Sequence, residues 1–267
     1  MTMPGDGMSG ALVVVIPAYN EARAIGDVLA RAAALGHRLI VVDDGSTDQT
    51  LAVAAPHPVC VLRHTTNRGK GAALLTGIRQ ALDHGAAHIV TLDADGQHRP
   101  EDIALLVAAA ARAPGAIVTG SRRADAANAP RARYWANRVA DFCISWAAGQ
   151  PIEDTQSGFR LYPAAVLAPL LARLGKSRGF ALESELLIEA GRADVPIVPV
   201  AIPALYAGVV QRASHFRPAR DIPRIAAVVA AKLLGRGLHP RGLWRVLISR
   251  RSSVAYHSSP ARQRGGG

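Results

Sequence analysis

Aromatic side chains make up only 4% of this 267-residue chain, cysteines number two, and no apolar run is long enough to cross a bilayer. Each scarcity excludes something. So few rings leave little for nucleotide bases to stack on, which argues against a single-strand nucleic-acid binder. Cys60 and Cys143 lie far apart, on segments that read as strand and helix, with no metal-ligand spacing and no disulfide framework. A reducing compartment and packing roles are expected for both. A spanning helix needs roughly 18 to 20 apolar residues. The best candidate, Ile222 to Leu234, is shorter and carries Arg224 and Lys232. The opening MTMPGDGMSG has neither a basic start nor an apolar stretch, so no secretory signal is expected and a cytoplasmic location is.

Acidic residues are missing from one end. From Gln211 onward twelve Arg and Lys face the single acid Asp221, so the whole net charge of +11 lies in that stretch and the remainder is balanced. A neutral body with a basic, partly apolar tail suits an anionic membrane surface at least as well as nucleic acid. The expected organisation is a flexible N-terminus over 1–10, a main domain over 11–220, a basic amphipathic helical tail over 221–251 and disorder over 252–267. Gly235, Gly237 and Pro240 should break the tail into two short helices, and Trp244 suits a headgroup region. Two placements are open for it. It lies in the membrane interface, or Ile225 to Leu234 packs on the body with only its outer face basic.

What is abundant is β-branched sequence. ALVVVIP, RLIVVD, VCVLR, HIVTLD and AIVTG recur with helically spaced segments between them. That alternation predicts an α/β fold, a mostly parallel sheet with helices on both faces, and the continuous apolarity of the strands agrees with burial on both sides. Ligands of such sheets bind at the carboxyl ends of strands. Polar groups cluster there: Tyr19, Asn20 and Glu21 after the first run, Asp43, Asp44 and Ser46 after the second, Asp93 and Asp95 after HIVTL.

Two carboxylates one residue apart repel each other, so a positive partner is expected between them. In LDADGQH they could hold a divalent cation that also binds phosphate oxygens. They could equally cap the helix beginning near Pro100 and close an Asx-turn. In VVDDGSTDQT, Ser46 or Thr47 could cap a helix, which leaves Asp44 for a nucleotide base or ribose. In NRGKGAALLTGI, Lys70 stands between two glycines at a helix start, a place that attracts phosphate, although the spacing is not that of a phosphate loop.

As an ordered series VVIPAYNEA, VVDDGSTD, NRGKGAAL, LDADGQHRPEDI, TGSR, DTQSGFRLYP, FALESELL and SHFRPARD resemble glycosyltransferase family two. The closer likeness is to the dolichyl-phosphate and polyprenyl-phosphate sugar transferases. The resemblance covers about residues 11 to 223. It implies the glycosyltransferase A type fold, a GDP- or UDP-sugar donor, Mg2+ or Mn2+, and a membrane lipid acceptor met from the inner face of the cell membrane. It places Pro17, Tyr19, Glu21, Asp44 and Lys70 at the nucleotide sugar, and Asp93, Asp95 and Gln97 at the metal and diphosphate. Arg122 falls near the phosphates, and Asp154, Ser157, Arg160, Ser214 and Arg217 on the acceptor and phosphate side. Many lipid-phosphate members carry a Ser-Lys pair where this chain has Ser214, His215 and Arg217, which is a departure on the acceptor side. His98 and His215 could also ligate a metal. Glu183 and Glu185 diverge by roughly 200° on a helix, so one of them enters the site, and Glu183 is taken as that one.

The expected chemistry is inverting transfer: an acceptor oxygen attacks the anomeric carbon opposite the departing nucleoside diphosphate. An ionised lipid phosphate needs no base, whereas a hydroxyl acceptor, as in a glycolipid or saccharide, needs a carboxylate such as Glu183 or Asp154. A non-catalytic nucleotide-binding protein ranks lower, because Asp93, Asp95, Arg122 and Asp154 are all present. A nucleic-acid partner ranks lower too, because the body carries no net charge.

Overall fold

The computed structural model describes residues 11–122, 131–174, 181–203, 218–235 and 237–249. Ser214, Arg217 and both chain ends lie outside the described residues. Seven strands form one sheet: β1 (Ala11–Ala18), β2 (Arg38–Asp43), β3 (Cys60–Arg63), β4 (Ala86–Thr91), β5 (Ile117–Ser121), β6 (Arg160–Pro163) and β7 (Ile197–Ala201). Their order is β3-β2-β1-β4-β6-β5-β7, all parallel except β6, which runs antiparallel to both β4 and β5. Strand order reverses between β1 and β4, and the expected crevice lies at their carboxyl ends.

Alternation along β1 sends Val13 and Val15 to one face of the sheet and Val14 and Ile16 to the other, and each pair enters a different core. The second face is covered by α1 (Ile25–Ala34), α2 (Thr50–Ala54) and α4 (Ile103–Arg112). The first is covered by α3 (Lys70–Asp83), α5 (Arg131–Ala148), α6 (Ala164–Leu171) and α7 (Ala181–Arg192). Two-sided burial is why β1 and β2 are apolar, whereas the edge strand β3 is only partly buried and its Cys60 is exposed, not packed as expected. On α3 a Cβ at Gly77 would collide with Val15, so this glycine lets the helix lie against β1 and fixes where its first residue, Lys70, emerges.

The tail takes the second of its two placements. Helix α8 (Pro218–Leu234) buries Val229 and Leu233 in the first core, and Lys232 pairs with Glu185 and Glu189 of α7, both at 2.8 Å. The expected boundary at 220–221 falls inside this helix. Helix α9 (Pro240–Ser249) then packs against α5. No described helix is long and apolar enough to cross a membrane.

Candidate active site

Because β6 runs antiparallel, Arg160 at its start pairs with Thr91 at the end of β4, so the loop before β6 faces the residues that follow β4. This register brings DTQSG against DAD. Thr91 Oγ1 donates to the Gly158 carbonyl at 2.7 Å, and a Cβ on Gly158 would sit 2.7 Å from an Asp93 oxygen and 2.8 Å from Lys70 Nζ. Glycine here leaves room for an ion pair against bare backbone.

That pair answers the charge problem. Lys70 Nζ lies 2.7 Å from Asp93 and 3.1 Å from Glu183, bridging α3, the β4 end and α7. Burial alone would lower the Lys70 pKa, but the two carboxylates outweigh it and raise it. Burial likewise works against ionised Asp93, yet Lys70 beside it holds that carboxyl below its ordinary value. Asp95 is pushed the other way, up, by burial and by the charge of Asp93. Asp95 also accepts from the Gln97 N–H at 2.9 Å, closing the expected Asx-type turn. Neither carboxylate caps the helical turn at Pro100.

Arg122 and Asp154 form a fork: the Arg122 backbone N–H donates at 3.0 Å, Nε at 3.1 Å and Nη2 at 3.2 Å. Burial of Asp154 is outweighed by this cation, and its pKa falls. His98, only 2% exposed, stacks on Phe159 with ring centroids 5.3 Å apart, and burial followed by Arg122 pushes it down to about 4, so it is neutral at pH 7.

The two candidates for the acceptor side that precede and open β6 are enclosed. Ser157 and Arg160 are both 0% exposed. The Arg160 guanidinium donates to the Thr155 carbonyl at 2.8 Å and the Glu183 carbonyl at 3.1 Å, so it ties the site loop to α7. Ser157 Oγ points back along its own loop, toward the Phe159 N–H.

On the nucleotide side, Pro17 is buried in β1, Tyr19 is partly exposed, and Glu21 is 7% exposed with its N–H donating to Thr50 Oγ1. Asp44 is more enclosed than expected. Its oxygens accept from the Arg68 and Gly69 N–H groups at 3.0 and 2.7 Å and meet His64 Nδ1 at 2.6 Å, so it shapes the loop leading to Lys70. Asn20, legible in the sequence only as one of the polar groups after the first strand, joins the first two strand ends: its side-chain oxygen accepts from the Thr47 N–H at 2.8 Å. Its backbone has a φ of 54°, a region that asparagine tolerates.

Among the described residues no group of three or more His, Cys, Asp or Glu could hold a metal unaided. Asp93 and Asp95 could supply hard oxygen donors to a divalent ion whose remaining positions are filled by a diphosphate and water. Burial and then the charge of Asp93 disfavour ionised Asp95, and a divalent ion beside it would favour that form. His98 is enclosed by its stacking on Phe159.

The sequence profile described as Glycosyl transferase family 2 matches residues 13–165, more than half of the chain. The chain belongs to glycosyltransferase family 2. Among relatives of this family 2 chain, a polyprenol monophosphomannose synthase of Mycolicibacterium smegmatis is 31% identical, over 76% of this chain and 84% of that protein. A UDP-N-acetylglucosamine–dolichyl-phosphate N-acetylglucosaminyltransferase of Methanococcus voltae is 30% identical, over 73% and 86%. The fold is also that of glucosyl-3-phosphoglycerate synthase from Mycobacterium tuberculosis, solved with Mn2+, UDP and phosphoglyceric acid. That structure superposes with a TM-score of 0.59 at 24% identity, covering 85% of this chain and 78% of its own. The glycosyltransferase A type architecture read from the motifs is therefore present, and the β6 reversal is what completes the site of this family 2 protein.

Gly158→Ala should leave the fold nearly intact, because only mobile side-chain ends stand in the way of the new Cβ, yet displace Lys70 and Asp93. We expect transfer to fall by ~10-fold or more, as misplacement of about an ångström does to a preorganised site, with an unchanged melting temperature. Steady-state kinetics beside a thermal melt check it.

Proposed function

We propose that this glycosyltransferase moves a sugar from a GDP- or UDP-sugar to the phosphate of a polyprenyl lipid, inverting the anomeric centre, at the inner face of the cell membrane. The observation that supports it most is that both carboxylates able to act as a base are committed to cations. Glu183 lies 3.1 Å from Lys70, and Asp154 is forked by Arg122. A hydroxyl nucleophile would find its proton acceptor already paired. An ionised phosphate needs none. The two relatives, by their names, act on polyprenyl and dolichyl phosphates.

In this account a phosphate oxygen of the acceptor forms the bond to the anomeric carbon while the bond from that carbon to the diphosphate breaks. The nucleoside diphosphate leaves with the electron pair, and no proton changes hands. Asp93 and Asp95, with Gln97 beside them, would hold Mg2+ or Mn2+, which supplies neutralisation of charge on the leaving diphosphate. Lys70 stands beside Asp93 to bind phosphate oxygens, and Asp154 orients Arg122 toward the same charge. His98, neutral at pH 7, stacks on Phe159 and carries no charge toward the diphosphate.

Glu183→Gln separates the acceptors. Transfer to polyprenyl phosphate should fall less than ~10-fold, the loss of an orienting partner, whereas removal of an obligatory base costs ~10² or more. If the variant folds and binds donor but transfers nothing, a hydroxyl acceptor is the better account.

A further inference from the structure

The chain contains three tryptophans, Trp135, Trp146 and Trp244, and all of them lie on α5 and α9, two helices packed together. On α5, Trp135, Val139, Phe142 and Trp146 follow helical spacing along one stripe. The stripe runs under α9 at its far end, where Trp146 Nε1 donates to the Leu238 carbonyl at 2.9 Å and His239 Nδ1 lies 3.3 Å from the Trp146 carbonyl. At its near end the stripe emerges into solvent, with Trp135 64% and Val139 60% exposed. Helix α9 buries Gly242 and Val246 on one side and exposes Trp244 (66%), Leu247 (52%) and Ile248 on the other.

Charge on this face has one sign. Arg241 and Arg245 are exposed on α9, which carries no acid, and the one acid of α5, Asp141, is turned inward to the N–H and hydroxyl of Thr155 at 2.9 and 2.7 Å. Exposed tryptophan and aliphatic side chains edged by arginine match the headgroup boundary of an anionic bilayer. A second copy seated on the same face would bring arginine against arginine. The tie through Asp141 joins this face to the loop that carries Asp154 and Gly158, so a lipid held at α5 is next to the site.

We infer that α5 and α9 together form a bilayer-docking face, on which Trp135, Val139, Trp244 and Leu247 enter the headgroup region while Arg241 and Arg245 meet anionic lipid. This deepens, and rests on, the lipid-acceptor reading. It moves the membrane contact from the basic tail as a whole to one helix of the catalytic body and one of the tail, since α8 is held in the core.

The test floats the full-length protein with vesicles of equal parts phosphatidylglycerol and phosphatidylcholine. Trp135→Ser/Trp244→Ser should weaken binding by ~10-fold or more, and Arg241→Gln/Arg245→Gln should remove most of its salt sensitivity with a similar loss. Both pairs are exposed, so melting and transfer to detergent-dispersed polyprenyl phosphate should match wild type. Equal flotation of wild type and the tryptophan variant overturns the inference. So does a wild type that ignores the vesicles at low salt, or a dimer in sedimentation that the tryptophan variant dissolves. Docking as expected with no transfer to polyprenyl phosphate supports the face and overturns the acceptor.

Discussion

Asp95→Asn lowers sugar transfer at least ~10²-fold and leaves the melting temperature at or slightly above the wild-type value, as expected when a strong electrostatic stabiliser is lost. The amide keeps the shape of the carboxylate, and its oxygen can still accept from the Gln97 N–H. What it removes is one of two charges that oppose each other: burial and Asp93 already push the Asp95 carboxyl up, so the native chain pays for holding it ionised. Activity and stability should therefore move in opposite directions, the usual sign of a residue kept for function. Initial rates with Mn2+, with Mg2+ and with EDTA, beside a thermal melt, check it. Full activity of the variant in EDTA would remove the metal from the account.

A chain ending at Asp221 loses about 3 kcal/mol of stability or more, because Val229 and Leu233 leave the core and each fully buried aliphatic side chain contributes about 1.5 to 3 kcal/mol. Glu185 and Glu189 also lose the ammonium they share, and removing one partner of a buried ion pair is costly. The expected outcome is an aggregating or non-cooperatively melting chain. Urea unfolding of full-length and truncated chains measures it. A truncated chain that unfolds cooperatively at a similar midpoint would show α8 to be a detachable tail after all.

The contrast between these two regions shows what the sequence carries. The parallel strands were legible because two-sided burial demands unbroken β-branched runs, and Asp93 and Asp95 stood out because paired acids at the end of an apolar strand repel each other, although a turn could also hold them. The direction of β6 was not. RLYP reads the same in either orientation, and only its register with Thr91 turns the preceding loop toward the carboxylates. For the same reason the enclosure of Ser157 and Arg160 was not legible: a polar residue in a glycine-containing turn gives no sign of whether it faces a ligand or a carbonyl. Glu183 could be told from Glu185 only as one of two. The structure sends Glu183 to Lys70 and Glu185 to Lys232, partners far away in sequence. The amphipathic pattern of α8 is likewise the same whether its apolar side meets lipid or protein, so the core position of Val229 could not be read from it.

The central claim is that the acceptor attacks as a phosphate. The direct measurement incubates the full-length protein with radiolabelled GDP- and UDP-sugars, a divalent cation, and either a polyprenyl phosphate or the corresponding free polyprenol, and counts label in the organic phase. The account predicts label in the lipid with the phosphate and none with the alcohol. Label in a hydroxyl acceptor with none in the phosphate would contradict it.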